Sequence, residues 1–591
     1  MKGIKRFITL SLAVIFVCVS LAGCRGNTPT GNESKVSEED KYGGTLIYPI
    51  NDPQTLLYWF TGLNYDRYSN VLNDVLFTID LDSGEIGYRL CESYDVSKDK
   101  LEYTFHIRDK VYWHDGVQLT ADDVVWSHDI WYEEDWPYPQ SWSIPGKWEA
   151  IDPLTVQVTL EEPNSQLLEL MYRYLSVQPK HCFEGVAYSE FFACDAAFKP
   201  IGCGPFKFDE YKVGDYVKFK ANEDFWNGRP YLDEVIFKVV GAGSEREVAF
   251  ETQQLSMMVA EASYYNEIKD DTDLYNFAIE KEDVNYGLVD FVSSLNSPGY
   301  IEDPEVRRAL AYMVDYDSII KKICYGFASR IKSIVANGVP GYQEVGNYNY
   351  DLDKAKKILT DAGYIDSDGD GYREVPQGKK LAGNPVSLQL WYFSAGSPEE
   401  YISIILAEAM QECGILAVPY LVDTATFMER FLTNGKELNQ QQQEALTSAS
   451  VGFVASTSYG PFIGEYRYAL DPSVVYNPSN FDEETWVQLG GQGLECNVDN
   501  YLSIGFDKAT ATALMKMKNL FESINSAEDD KALEKLYAQI QNVYMNEVIG
   551  SIPIYVPWKI LALQKNVHIE DSMYDPRVNE LGFKTEKIWV K

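Results

Sequence analysis

Two groupings of residues in this chain carry donors at spacings that chemistry uses. The first is a pair of His-Asp dipeptides, His114-Asp115 and His128-Asp129, each setting an imidazole beside a carboxylate, as a general base stands beside the acid that orients it. Neighbours on a strand point to opposite faces, however, and a catalytic set needs groups that converge in space. Each dipeptide is therefore read as a turn Asp beside a surface or packed His, with no catalytic residue assigned. The second grouping is Asp366-Ser367-Asp368-Gly369-Asp370-Gly371, then Tyr372 and Glu374. Its carboxylates fall at positions 1, 3, 5 and 9 of a calcium-loop spacing, with Gly at position 6 and Tyr372 at position 7, whose ligand is a backbone carbonyl. Gln377 stands at position 12, where a full loop has a bidentate Glu, so a structural calcium here binds more weakly than in an EF-hand. An Asp-Gly-rich surface turn is the alternative, and no other cofactor is required.

The motifs GxSxG, HExxH and GxxxxGK[ST] do not occur, and five histidines leave little material for imidazole chemistry. A carboxylate-dependent hydrolase carries no mark among 89 acids. It stays, with a sensor, as the alternative of another class to a non-enzymatic binding protein. Lys and Arg number 51, giving a formal charge of −38 that sets aside nucleic acid and anionic lipid surfaces as partners. Tyr (42) and Trp (12) are abundant, and their flat faces with polar tips suit ligand clefts as well as cores.

The elements that must position these groups begin after a leader. Lys2, Lys5 and Arg6 precede a mostly apolar run from Phe7 to Ala22, too short for a confident span. Leu21-Ala22-Gly23-Cys24 resembles a bacterial lipobox, so residues 1–23 are expected to be a lipoprotein signal peptide, with lipid on Cys24. Residues 24–43 are polar and read as a disordered tether. Seven cysteines remain, an odd set without CxxC, read as buried thiols plus at most a disulfide or two.

Further on, a strand over Tyr103 to Trp113 runs into a helix capped by Thr120, with Asp122 and Asp123 in its first turn. Thr155 to Leu160 alternates as a strand, a helix covers Gln166 to Tyr174, and Phe206 to Lys220 reads as a hairpin about Val213-Gly214-Asp215. Asp303-Pro304-Glu305, Asp351 and Ser397-Pro398-Glu399-Glu400 each start a helix. Ser526 to Glu547 supplies a last long helix and Ile552 to Val556 a strand.

Ordered motifs along this frame resemble one family. They are Tyr103-Thr104-Phe105, Ile107-Arg108 and His114-Asp115-Gly116, then Leu119-Thr120-Ala121-Asp122-Asp123-Val124 and Ser127. Gly202-Cys203-Gly204-Pro205-Phe206 follows, where the family has GTGPY, and then Asn222, Phe225-Trp226, Gly228, Pro230 and Leu232-Asp233. Asp303, Val306-Arg307, Ala309-Leu310, Met313, Asp315 and Ile319 make a third motif, and Asp351 with Lys354-Ala355-Lys356 through Gly363-Tyr364 a fourth. The chain resembles the extracellular solute-binding proteins, family 5, of ABC importers.

The resemblance implies an α/β, periplasmic-binding-protein-like fold of two α/β lobes joined by hinge strands, plus an extra subdomain. Lobe I is placed at about 44–81, 200–288 and 553–591, the subdomain at about 82–199 and lobe III at about 289–552. It implies capture of a short peptide, with an oligosaccharide as the second solute. The chain would be a monomer at the extracytoplasmic face of the membrane, lipid-anchored and working with permease subunits. Expected lining residues are Tyr58, Trp59 and Tyr65 in the first loop, Trp391, Tyr392 and Phe393 at a strand end, and Tyr459, Phe462 and Tyr468. Peptide-binding relatives hold the amino terminus on an acid in a W-x-x-D type segment. That Trp is missing here, which leaves Glu465 and Asp471 as the acids.

Overall fold

The structure, a computed structural model, describes residues 37–53, 56, 69–79, 86–132, 144–161, 163–164, 167–280, 288–293, 303–333, 342–379, 381–392, 397–422, 449–456, 507–524, 530–569 and 587–591. Side-chain alternation decides the first sheet. Leu46, Tyr48 and Ile50 of strand Thr45–Ile50 are buried, as are Val235 and Phe237 of Glu234–Val239. The two pair in parallel with Leu46 opposite Val235 and Tyr48 opposite Phe237. Tyr216–Ala221 and Phe206–Lys212 extend the sheet as the expected hairpin, and Gly214 takes the left-handed conformation its turn needs (φ +73°). Their shared face packs on Met257, Leu561 and Leu563.

The subdomain is a four-stranded antiparallel sheet in the order Cys91–Val96, Glu102–Ile107, Thr155–Thr159, Lys147–Asp152. Tyr103, Phe105, Ile107, Val156 and Val158 face one side and bury Val124 of helix Ala121–Asp129 and Leu167 and Met171 of helix Leu167–Tyr174. The strand expected to run to Trp113 stops at Ile107. Lys110 then adopts φ +60°, which no strand accommodates, and Tyr112 pairs only with Gln118.

The largest sheet has six strands, in the order Ala328–Arg330, Ser551–Pro557, Leu288–Ser293, Ala449–Ser456, Ser387–Tyr392, Leu416–Leu421. Helices Pro304–Tyr312, Leu352–Asp361 and Pro398–Glu412 contribute Leu310, Leu359 and Leu406 to its core. All three start at the caps read from the sequence, where Asp303, Asp351 and Ser397 accept backbone N–H groups. Helix Lys508–Ile524 packs on Asp530–Val543, and the latter passes into a π-helical turn, Tyr544–Val548.

Two crossings join the lobes. Tyr275–Glu280 and Lys559–Gln564 pair with each other in a three-stranded sheet with Met257–Val259. Their chain neighbours, Leu288–Ser293 and Ser551–Pro557, pair with each other in the six-stranded sheet. The second change of sheet falls at Trp558 rather than near residue 553, because Ser551–Pro557 is hydrogen-bonded to both Leu288–Ser293 and Ala328–Arg330. The expected tether is also shorter than 24–43. Glu38–Lys41 forms a 3-10 turn capped by Ser37, Tyr42 meets Tyr231 edge-on at 5.2 Å, and the Gly43 N–H donates to the Tyr231 carbonyl at 2.8 Å. Two aromatic rings give this polar segment something to pack on.

Candidate solute-binding site

The second crossing puts aromatic groups from both lobes together. Tyr265, on helix Ala262–Ile268 of lobe I, stands edge-on to Phe277 and to Phe327, each at 5.0 Å. Phe327 in turn meets Trp558 at 5.9 Å, and the Trp558 indole N–H donates to Ser329 Oγ at 2.8 Å. Beside them Glu261, the N-cap residue of that helix, keeps solvent-accessible surface and is nonetheless crowded by protein. Desolvation, then the charges of Glu399 and Glu247, raise its carboxyl above the usual range. Glu399 belongs to the first turn of helix Pro398–Glu412 in the other lobe. Cys324 and Tyr555 feel the same two acids; burial pushes the Cys324 thiol up to about 11 and the Tyr555 hydroxyl well above its ordinary value. The described junction is thus aromatic and acidic, with Glu261 and Glu399 contributed by opposite lobes. No sequence spacing signals this pair, because 138 residues separate two acids among 89.

Of the residues expected to line the site, Trp391 and Tyr392 are described. Trp391 is 1% exposed, its indole N–H donating to Gln389 Oε1 at 3.1 Å, and its ring lies 6.4 Å from that of Tyr420. Such a ring is core and offers no face for a sugar, a correction to its expected role. Tyr392 is also buried and donates to Glu400 Oε1 at 3.2 Å. Tyr58, Trp59, Tyr65, Phe393, Tyr459, Phe462, Glu465, Tyr468 and Asp471 lie outside the described residues, as do Cys24 and the leader.

The His-Asp dipeptides resolve into packing. His114 Nδ1 accepts the Gly202 N–H at 3.2 Å, so Nε2 carries the proton and donates to the Gly204 carbonyl at 3.1 Å. Desolvation lowers its pKa from 6.5 to about 4. The ring is a neutral clip between two motifs 90 residues apart. His128 lies buried, stacked 4.5 Å from Trp148, with Nε2 on the Ile144 carbonyl at 2.9 Å and Nδ1 at 2.8 Å from Asp129 Oδ1. Asp115 turns instead to His181, whose Nε2 is 2.8 Å from Oδ2. Asp123 serves the capping box, taking the Thr120 N–H at 2.9 Å, and also accepts the Lys180 N–H at 3.0 Å.

The acidic loop does converge. Asp366, Asp368, Asp370 and Glu374 offer oxygens all within 4.8 Å of one another. Asp366 accepts the N–H groups of Gly369 at 2.7 Å and Gly371 at 3.0 Å, while Asp370 accepts that of Tyr372 at 2.8 Å. These bonds shape the loop and compete with a cation for the same lone pairs. The six described cysteines beyond the leader, Cys91, Cys182, Cys194, Cys203, Cys324 and Cys413, are all free.

Two α/β lobes crossed twice by adjacent strands, with an added subdomain, define a periplasmic-binding-protein-like chain. A model described as bacterial extracellular solute-binding proteins, family 5 middle, matches residues 85–460, and the chain belongs to that family. It is 25% identical over 441 residues to the oligopeptide-binding protein AppA of Bacillus subtilis, covering 73% of this chain and 79% of that one. It is 27% identical over 325 residues to the dipeptide-binding protein of Escherichia coli, covering 51% of this chain and 60% of that one. The solved structure of the B. subtilis AppA, in complex with a nonapeptide, superposes with a TM-score of 0.70 at 23% identity. That match covers 93% of this chain and 99% of that one. Family members are solute-binding components of ABC importers. Among the described residues no helix is long and apolar enough to cross a membrane.

Proposed function

We propose that this chain captures short peptides outside the cell and delivers them to the permease subunits of an ABC importer, as a monomer held at the membrane by lipid on Cys24. The observation that carries the reading is the interlobe junction, where the charge of Glu399 from one lobe acts on Glu261 of the other, on the helix that carries Tyr265 against Phe327. A carboxyl desolvated by the protein and repelled by neighbouring acids favours a solute bearing a positive group, such as a peptide amino terminus. Two relatives named for oligopeptide and dipeptide binding support the same class. A sugar reading loses one of its two stacking rings with the burial of Trp391. No step of catalysis is assigned: the histidines of the His-Asp dipeptides are held by packing.

The test is a thermal-shift screen of refolded, ligand-free protein against peptide, oligosaccharide and nickel-chelate pools, with mass spectrometry of whatever co-purifies. Peptides should raise the melting temperature and appear in the co-purified fraction. Stabilisation by sugars alone would sink the peptide assignment, and turnover of any pool would replace binding with catalysis.

A further inference from the structure

Outside the interlobe junction, the subdomain assembles three different metal-binding side chains. Asp115 sits in the turn after Trp113, and His181 and Cys182 close the 3-10 turn Lys180–Cys182. Their donor atoms, a carboxylate oxygen, an imidazole nitrogen and a thiol sulfur, all lie within 4.8 Å of one another. Several contacts fix the arrangement. Asp115 Oδ1 accepts the Val117 N–H at 3.1 Å, leaving Oδ2 for His181. The Lys180 N–H donates to Asp123 Oδ1 at 3.0 Å and the Cys182 N–H to the Pro179 carbonyl at 2.9 Å, which set the 3-10 turn against the capped helix.

The site is reachable, since the side chains of His181 and Asp115 are 31% and 29% exposed and Cys182 is half-buried. Two sequence-adjacent donors and a third 66 residues away supply what a small, borderline-soft dication binds.

We propose that Asp115, His181 and Cys182 form a zinc site, with water in the fourth position. Tetrahedral zinc sets its donors about 3.3–3.6 Å apart, so the 2.8 Å His181–Asp115 contact opens slightly on binding. The Cys182 thiol proton leaves to solvent as the Zn–S bond forms; His181 gives up to solvent the Nε2 proton it shared with Asp115 and ligates through Nε2 as the neutral imidazole, its one proton then on Nδ1. The ion then ties the Asp115 turn to the segment leading towards Gly202, and it withdraws Cys182 from alkylation.

The experiment uses the full mature chain, reduced and stripped with a chelator. Added zinc should slow iodoacetamide labelling of Cys182, read by peptide mapping, at least tenfold while leaving Cys194 little changed. Calorimetry should give one zinc that His181→Asn and Cys182→Ser each abolish, in a background of Asp366→Asn and Glu374→Gln that removes the acidic loop as a competitor. Cobalt in place of zinc should show a thiolate charge-transfer band that Cys182→Ser removes. Unchanged labelling of Cys182 in the unaltered chain would overturn the site without depending on any variant. So would zinc stoichiometry that survives both substitutions.

Discussion

His114 shows what a residue's surroundings decide that its neighbours in sequence do not. Its ring is held neutral because Nδ1 receives an N–H from Gly202 and burial penalises the charged form. The folded chain takes that proton only near pH 4, whereas the unfolded chain takes it near 6.5. Between those values the unfolded state binds more protons, so stability is complete above about pH 6.5 and is lost as pH falls towards 4, by up to about 1.4 kcal/mol per unit. Urea midpoints at pH 7.5 and 5 should therefore differ less in His114→Gln, whose amide can make both hydrogen bonds without titrating; an equal difference would place the proton uptake elsewhere. The acidic loop is tested at the same scale. With Asp366, Asp368, Asp370 and Glu374 converging, calorimetry of chelator-treated protein should show calcium heat that Asp366→Asn weakens at least tenfold, and no heat in the parent would remove the ion. This loop was legible because its spacing is local. Glu261 and Glu399 were not, because nothing in one dimension marks two acids whose charges act on each other across lobes.

At the scale of elements, the glycines of Gly202-Cys203-Gly204 explain why this motif reads so clearly. A Cβ on Gly202 would stand 2.0 Å from the Leu72 carbonyl oxygen, and one on Gly204 2.7 Å from that of Asn73. Backbone is pressed on backbone there, and His114 closes the other side. Gly202→Ala should cost about 3 kcal/mol or more, or prevent folding, since the contact is with main chain that cannot step aside. Asp303 works similarly for two other motifs. It caps helix Pro304–Tyr312, accepts the Tyr364 hydroxyl at 3.1 Å and pairs with Lys379. Asp303→Ala should cost roughly 2–4 kcal/mol by losing a helix cap and the hydrogen bond from the buried Tyr364 hydroxyl. Denaturant titrations combined with Tyr364→Phe should show that the two losses do not add. Arg307 completes the set, 1% exposed and donating twice to the Val548 carbonyl. Caps and periodic faces were readable from sequence, because both are local. Strand ends were not: Lys110 stops one by its backbone conformation, and Trp558 marks a change of sheet decided by distant pairing partners.

For the whole molecule, the two crossings decide how binding can be observed. Each passes from the three-stranded sheet to the six-stranded one, and the rings flanking the second, Tyr265, Phe327 and Trp558, touch one another from both lobes. Rotation of one lobe on the other is expected to change the Tyr265–Phe327 contact, which joins helix Ala262–Ile268 to the residue preceding strand Ala328–Arg330, and through Phe327 the surroundings of Trp558. Trp391, by contrast, is sealed within the six-stranded sheet and moves with its lobe. Peptide at about 100 times its Kd should raise stability by about 2.7 kcal/mol through linkage alone, and the same titration should change tryptophan emission. Trp558→Phe should remove most of that emission change while the peptide still raises the melting temperature. Trp391→Phe should leave the ligand-induced change intact and lower only the stability of the free chain. If Trp391→Phe abolishes the optical signal and Trp558→Phe does not, the moving boundary lies within the six-stranded sheet, and the hinge assigned to the paired crossings is wrong.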